Sequence, residues 1–287
     1  MKTEPAGRPG TAIGLLLMLW LWWPLAGQAA VLKVFVSVPP QRFLVEQVGN
    51  GRVSVEVMVP PGQSPATYAP TPRQLAALGD AQLYFRVGVP FEAAWMKRIA
   101  AGNPGLRIVP VPELAAAGQG SGPHDAVDPH SWTSPLLATT LAAAIRDALI
   151  EADPDGRELY RRGYRQLADR LHALHERIAQ LLQPCTARSF LVFHPAWGHF
   201  ARTYGLEQIA VEHAGKEPAS RHLAQVIDRA RAKGVQAVIV QPQFSHRMAE
   251  VVAAELGIPL VTLDPLAEDW LANLEATART LRKAMDC

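Results

Sequence analysis

The chain has 287 residues, 49% of them hydrophobic and 19% charged, and a formal net charge of +2 at pH 7. This near-neutral balance gives no electrostatic case for nucleic acid or for an anionic membrane as the partner. The length is sufficient for one large domain or for two lobes with good cores.

Residues 1–30 are predicted to be a secretory signal peptide. Lys2 and Arg8 form a basic start, an apolar run follows at Ile13–Leu25, and small residues end at Ala29 and Ala30, where we place the cleavage. The run is shorter than the roughly 20 apolar residues of a membrane span, although an uncleaved anchor remains the alternative. Loss of these residues removes two basic side chains and Glu4, which leaves a net charge of +1. The protein is therefore expected in the periplasm or another extracytoplasmic compartment.

Strands and helices are predicted to alternate along the rest of the chain. Short β-branched or apolar runs predict strands at Val31–Val38, Val53–Pro60, Ala81–Gly88, Arg107–Val111, Arg188–His194, Gln208–His213, Ala237–Gln241 and Leu260–Leu263. Helices are predicted at Gln41–Val48, Arg73–Leu78, Phe91–Ala101, Leu136–Ala152, Trp197–Tyr204, Arg221–Lys233, Arg247–Leu256 and Trp270–Met285. Such alternation is typical of an α/β fold with mostly parallel sheets covered by helices.

One long helix is predicted between the two halves. Asp153 suits an N-cap, Pro154 suits the first helical position, and Pro184 ends the segment. Apolar residues then recur at spacings of three and four, at Tyr160, Tyr164, Leu167, Leu171, Leu174, Ile178 and Leu181. The 29 residues from 154 to 182 would span about 43 Å. We expect an N-terminal lobe at 31–152, a linking helix at 153–183 and a C-terminal lobe at 184–287, with a ligand cleft between two similar lobes.

The two cysteines, Cys185 and Cys287, allow one disulfide. In an exported chain they can pair, and the bond would attach the C-terminal helix to its own lobe. Two free thiols are the alternative, because sequence alone does not give the separation of their Cα atoms.

Three side chains follow predicted strands or stiff turns and are candidate metal ligands. His130 follows Asp128-Pro129, His194 ends a strand before Pro195, and Asp264 ends another strand before Pro265. The prolines restrict the backbone beside each ligand, and the ends of parallel strands are where α/β proteins bind ligands. Two His and one Asp on rigid loops are how a fold builds a transition-metal site from distant positions of the chain.

The other polar residues receive weaker assignments. His172 and His175 are expected to face solvent on the long helix, and His199 to lie on a helix surface or behind the ligands. Gln241 and Gln243 are candidates for the cleft wall, but neutral amides are poor ligands for a soft metal. His213, His222 and His246 receive no role. Phosphate-loop, dinucleotide, nucleophile-elbow, HExxH and CxxC motifs do not occur.

Several motifs in order resemble the metal-specific solute-binding proteins of ABC transporters, the zinc/manganese uptake family. They are Val36–Pro40, the loop from Pro60-Pro61-Gly62 to Pro70-Thr71-Pro72, Glu92 with Trp95, Asp128-Pro129-His130-x-Trp132, Phe193-His194-Pro195-Ala196-Trp197, Gly215-Lys216-Glu217-Pro218 and Asp264-Pro265-Leu266. The resemblance covers nearly all of the mature chain. It implies two α/β lobes, one linking helix and a buried metal between the lobes.

The resemblance also implies a ligand set of three His and one carboxylate. His130, His194 and Asp264 match, whereas the first family His falls on Ala66, which has no donor atom. Water can complete a three-ligand site, His124 can supply a fourth ligand from the Gly- and Ser-containing segment before His130, or the protein binds another metal or a metal complex. Imidazole at position 194 indicates a zinc-type member.

The expected function is capture of a divalent metal, most plainly zinc, for delivery to an ABC permease by a monomeric, non-enzymatic binding protein. One rival is an exported metalloenzyme with three protein ligands and a zinc-bound water, for which Glu217 is the only candidate base. Another rival is a metal-binding adhesin or sensor of the same fold. Turnover of ester or peptide substrates would favour the metalloenzyme. Loss of metal-dependent growth on deletion of the protein would argue against the adhesin or sensor.

Overall fold

The computed structural model describes residues 31–110, 128–212 and 219–287. The predicted signal peptide at 1–30 lies outside these residues, as do His124, His213 and the segment 215–218. In the part of the chain that is described, no helix is both long and apolar enough to cross a membrane.

The first lobe is a parallel sheet with strand order β2-β1-β3-β4. Its strands are β1 (Leu32–Val36), β2 (Val53–Val57), β3 (Leu83–Phe85) and β4 (Arg107–Val109), and Leu32 pairs with Val53 at the start of β1 and β2. The helices are α1 (Pro39–Gly49), α2 (Pro72–Ala77), α3 (Pro90–Gly102) and α4 (Pro135–Ala152). Because every crossover connects parallel strands, the carboxyl ends of the strands lie at one edge of the sheet.

The second lobe repeats this topology, with strand order β6-β5-β7-β8. The strands are β5 (Ser189–Val192), β6 (Glu207–Ala210), β7 (Val238–Val240) and β8 (Leu260–Thr262), all parallel. The helices are α6 (Gly198–Thr203), α7 (Ser220–Ala232), α8 (His246–Leu256) and α9 (Trp270–Ala284). The predicted α/β fold with two parallel-sheet lobes is confirmed, and the observed elements mostly begin or end within a few residues of the predicted bounds.

The predicted long helix is also present, with a different start. Pro154–Gly156 forms one 3-10 turn, and the α-helix α5 runs from Arg157 to Leu182, about 39 Å at 1.5 Å per residue. Asp153 makes no side-chain cap, because its carboxylate is bonded to Arg52 at 2.9 Å and to Tyr160. An ion pair to Arg52, the residue before β2, therefore replaces the expected helix cap.

The apolar stripe of α5 differs from its prediction at both ends. Leu182 is buried in place of Leu181, and Tyr164 is only half-buried. Gly163 is buried against the backbone of α1, where an added Cβ atom would lie 2.5 Å from the carbonyl oxygen of Gln47. The missing side chain lets the two helices approach closely, so α5 packs on the first lobe by backbone contact.

A disulfide joins Cys185 to Cys287, with a Cα–Cα distance of 4.9 Å. The bond ties Cys287, three residues beyond α9, to the segment before β5, as the paired alternative expected. The core is continuous from the first lobe through α5 to Trp197 and Trp270, so the described residues of both lobes form one packed unit.

Candidate metal centre

His130 is held by the residue that precedes its proline. The Oδ1 atom of Asp128 accepts hydrogen bonds from the His130 backbone N–H at 3.0 Å and from Nδ1 of the imidazole at 2.8 Å. The imidazole also lies against the buried ring of Trp132, with ring centroids 5.3 Å apart. Trp132 is fixed in turn by donating to the carbonyl oxygen of Pro265 at 2.8 Å. The short turn before α4 therefore sets both the position and the rotation of His130.

The pKa values of this pair favour an ionised acid and a neutral base. Burial raises the pKa of Asp128, but the hydrogen bond and charge of His130, with the nearby His199, outweigh it and lower the pKa to about 2. Burial lowers the pKa of His130 more strongly than Asp128 raises it. At neutral pH the carboxylate thus accepts the Nδ1 proton, and Nε2 keeps a free lone pair.

His194 is oriented by a second carboxylate, from Glu212. The strand β5 ends just before Phe193, and His194 presents Nδ1 to Oε2 of Glu212 at 3.0 Å. The Glu212 side chain is only 5% exposed, so water hardly competes for this contact. The imidazole stacks on Phe244 at 4.7 Å between ring centroids. Gln241 fixes the backbone, since its amide donates to the His194 carbonyl oxygen at 2.7 Å.

The structure brings His130 and His194 together from the two lobes. Their ring centroids are 5.3 Å apart and their planes are inclined by 77°. The Nδ1 atom of each ring is bonded to a buried or half-buried carboxylate, which leaves the lone pairs of both Nε2 atoms available to bind a metal. Carboxylate–histidine pairs of this kind are the usual support for imidazoles that bind a metal.

Residues of the second lobe also hold Asp128. His199, on α6, donates from Nε2 to the Asp128 carbonyl oxygen at 2.9 Å and accepts at Nδ1 from Arg202 at 2.8 Å. Arg202 also lies 3.6 Å from Oδ2 of Asp128. His199 is 3% exposed, so it lies behind the imidazole pair and is not on the helix surface. The group that orients His130 is therefore attached to the opposite lobe.

Asp264 lies two residues after β8, and its carbonyl oxygen accepts from the Asn273 side chain at 2.7 Å. Its Oδ1 accepts from the Gln243 side chain at 2.7 Å and from the Leu266 backbone at 2.9 Å. Within the described ranges, no three or more His, Cys, Asp or Glu side chains lie close enough together to form a metal-binding group. The histidine pair is thus assembled, whereas the ligand role of Asp264 stays a prediction.

The loop with Ala66 packs at the carboxyl edge of the first sheet. Pro65 accepts from the Phe91 backbone at 3.1 Å, the rings of Tyr68 and Phe91 lie 6.0 Å apart, and Ala66 is exposed. Nearby, the buried carboxylate of Glu92 accepts from the Val87 and Gly88 backbones, and burial raises its pKa. Glu92 therefore holds the backbone after β3 and supports the structure of this edge.

Two expectations for other side chains need correction, and one residue was missed. His172 is exposed as predicted, but His175 is half-buried and stacks on Tyr204 at 5.4 Å. Gln241 is fully buried and anchors the backbone of His194. Glu212 received no role from the sequence, although a carboxylate two residues beyond the parallel strand β6 obeys the same rule that identified His194 and Asp264.

Known proteins are similar to this chain over most of its length. The sequence model of a family described as ZnuA, zinc-uptake complex component A, periplasmic, matches residues 34–284. The ZnuA protein of the high-affinity zinc uptake system of Yersinia pestis is 26% identical, over 81% of this chain and 82% of its own. A "Putative metal-binding protein" of Chlamydia muridarum is 27% identical, over 86% of this chain and 89% of its own. A solved structure described as "Crystal structure of ZnuA" superposes with a TM-score of 0.81 and 37% identity, over 89% of this chain and 99% of that one.

Proposed function

The chain belongs to the family of periplasmic zinc-uptake component A proteins, and from this membership we propose that it captures zinc between its lobes and hands it to an ABC importer. His130 and His194 bind the ion through Nε2, and Asp264 supplies the negative charge. A signal peptide at residues 1–30 exports the protein, which acts as a monomer by equilibrium binding and catalyses no reaction.

The separation of the two imidazoles is the observation that carries the proposal. A zinc ion lies about 2.05 Å from each nitrogen, and the ring centre lies about 1.15 Å farther along the same line. Two such rings at the tetrahedral angle have centroids about 5.2 Å apart. The observed distance between the centroids of His130 and His194 is 5.3 Å. This agreement between the two distances supports a shared tetrahedral zinc as the proposed occupant.

The protonation states support binding at neutral pH. Both Nδ1 atoms face carboxylates, so the protons lie on Nδ1 and the metal-binding lone pairs on Nε2. Burial lowers the pKa of His130, which weakens competition by protons at the site. Asp264 has Oδ1 occupied by two donors, and its Oδ2 is the proposed ligand atom. Water or His124 fills the fourth position, since Ala66 has no donor.

Calorimetric titration of zinc into single variants tests the ligands. His130→Ala and His194→Ala should each weaken binding at least tenfold, about 1.4 kcal/mol, because each removes one metal–nitrogen bond. His172→Ala is the matched control, since it removes an exposed imidazole from α5. Wild-type affinity in both cleft variants would refute the assignment of the site.

Delivery and the absence of catalysis need separate measurements. A strain lacking this protein should grow poorly when zinc is chelated, and the wild-type gene but not the His194→Ala form should restore growth. The zinc-loaded protein should turn over no ester or peptide substrate in a panel, because the proposed function is binding alone. Normal growth of the deletion strain would contradict delivery, and turnover abolished by His194→Ala would favour a metalloenzyme.

A further inference from the structure

A large open groove lies far from the histidine pair, between the end of α4 and the start of α5. Its volume is about 800 Å³, and its wall includes Arg146, Arg157, Arg161 and Arg165. Asp153, in the turn between these helices, is bonded to Arg52, which directly precedes β2. The groove therefore lies at the amino-terminal edge of the first sheet, opposite the edge that carries His130. The histidine pair lies near the start of α4 and the groove near its end, and the 18 residues of this helix span about 27 Å.

The groove carries an excess of positive charge. Its four arginines are opposed by two lining acids, Asp147 and Glu151, which leaves two uncompensated positive charges. Both acids are already bonded to arginines, Asp147 to Arg146 at 2.8 Å and Glu151 to Arg107. The mature chain as a whole has a net charge of only +1, so this surface is not a sample of a generally basic protein.

Two of the arginines have no partner. Arg157 and Arg165 make no hydrogen bond, ion pair or ring contact with any described residue, and both are exposed. Arg161 lies between them and is bonded to Glu158 at 3.0 Å. Because positions four apart lie on one face of a helix, the three guanidinium groups form a row with steps of about 6 Å.

The opposite wall holds its cation in place. The guanidinium of Arg146 lies 4.5 Å above the ring centroid of Tyr164 and is bonded to Asp147 through two nitrogen atoms. The ring and the carboxylate fix this side chain from two sides, which lowers the entropic cost of binding another anion beside it. Half-buried Ile150 adds an apolar contact on the same wall.

We propose that this groove is a second binding site, for a phosphate-bearing anion. Arginine presents forked donors that match phosphate oxygens, and the volume lies within the range of about 300–1,000 Å³ typical of small-molecule sites. Arg157 and Arg165 bind the phosphate groups, and Arg146 on Tyr164 forms the fixed side. The phosphate belongs either to a soluble ligand or to the headgroup of a membrane lipid. No residue of the groove belongs to the histidine pair, so we expect the zinc affinity to stay unchanged when the groove is altered.

Paired double variants test the proposal with two probes, inorganic pyrophosphate and lipid vesicles. Arg157→Gln/Arg165→Gln should weaken pyrophosphate binding at least tenfold by titration calorimetry, with unchanged zinc affinity. Arg221→Gln/Arg247→Gln is the control, because it removes the same charge from exposed positions of the second lobe whose side chains bond to no described residue. Vesicles of phosphatidylcholine with about one-third phosphatidylglycerol, compared with pure phosphatidylcholine, form the lipid arm.

The two arms identify the source of the phosphate. If the groove variant loses binding to the anionic vesicles and the control variant keeps it, the site is assigned to lipid headgroups. If the wild type binds pyrophosphate but not the vesicles, the site is assigned to a soluble phosphate compound. Failure of the wild type to bind either probe overturns the proposal. Equal losses in the two double variants also overturn it, since they would show a response to net charge and not to the groove.

Discussion

Replacement of Glu212 should weaken zinc binding although this residue is not itself a proposed ligand. Its Oε2 accepts the Nδ1 proton of His194 at 3.0 Å, and the two side chains are 5% and 20% exposed. Water therefore cannot fully replace the carboxylate, and the imidazole loses both its orientation and part of its basicity. Loss of such a supporting group costs about 10- to 100-fold in metal affinity, or about 1.4–2.7 kcal/mol.

Two substitutions at this position should produce graded effects. Glu212→Gln keeps the shape and one neutral acceptor, so its loss should be near tenfold, whereas Glu212→Ala should approach a hundredfold. Titration calorimetry in competition with a chelator measures both. Glu207→Gln is the control, because it makes the same change on β6 at a residue that pairs with Lys233 and Arg229, away from the cleft.

A double-variant cycle separates positioning from general damage. If Glu212 acts through His194, adding Glu212→Gln to His194→Ala should change the zinc affinity by no more than about 0.5 kcal/mol, the usual limit for additivity error. A full further loss in that background would refute the reasoning, because Glu212 would then act by another route. Unchanged affinity of Glu212→Gln alone would refute it as well.

Three other predictions concern the open position, the packing of α5 and acid stability. Ala66→His should tighten zinc binding and slow the release of zinc to a chelator, measured by stopped flow. Ala101→His, at another exposed position, is the control and should change neither quantity. Unchanged zinc affinity in a folded Ala66→His variant would mean that this loop does not reach the metal. Gly163→Ala should lower the free energy of unfolding by about 2 kcal/mol and the thermal midpoint by roughly 4–8 °C in scanning calorimetry. The new Cβ atom would lie 2.5 Å from the Gln47 carbonyl oxygen, and this clash outweighs the gain of about 1 kcal/mol in helix propensity. Gly102→Ala is the control, because its Cβ atom would enter open space and should not destabilise the fold. Lys233 and Arg229 lower the pKa of Glu207 to about 2, so it stabilises the fold above about pH 4.5 and this contribution is lost as the pH falls towards 2. Because the Glu207 side chain is 32% exposed, we expect this contribution to the free energy of unfolding to be only about 1 kcal/mol. The wild type should exceed Glu207→Gln in stability by this amount at neutral pH, and the difference should disappear in acid. A difference that stays constant with pH would contradict the prediction.

The sequence by itself determined the class of fold and most of its elements. Hydrophobic patterns with a period of two or 3.6 residues involve only near neighbours in the sequence, so they predicted the alternation of strands and helices and the apolar stripe on α5. The placement of His130 and His194 was also readable, because each follows a strand or stiff turn beside a proline. The motifs and their order further indicated the metal-binding family, which the match over residues 34–284 confirms.

Only the tertiary structure decided which groups meet. Glu212 supports a histidine 18 residues away, and His199 holds Asp128 across 71 residues and two lobes, which no local pattern encodes. Asp153 was misassigned as a cap because its partner, Arg52, is 101 residues away in sequence. The pairing of Cys185 with Cys287 and the arginine-lined groove between α4 and α5 likewise appear only after folding. Propensity and periodicity act within a window of neighbours, whereas distances between side chains depend on how all the helices and sheets pack together.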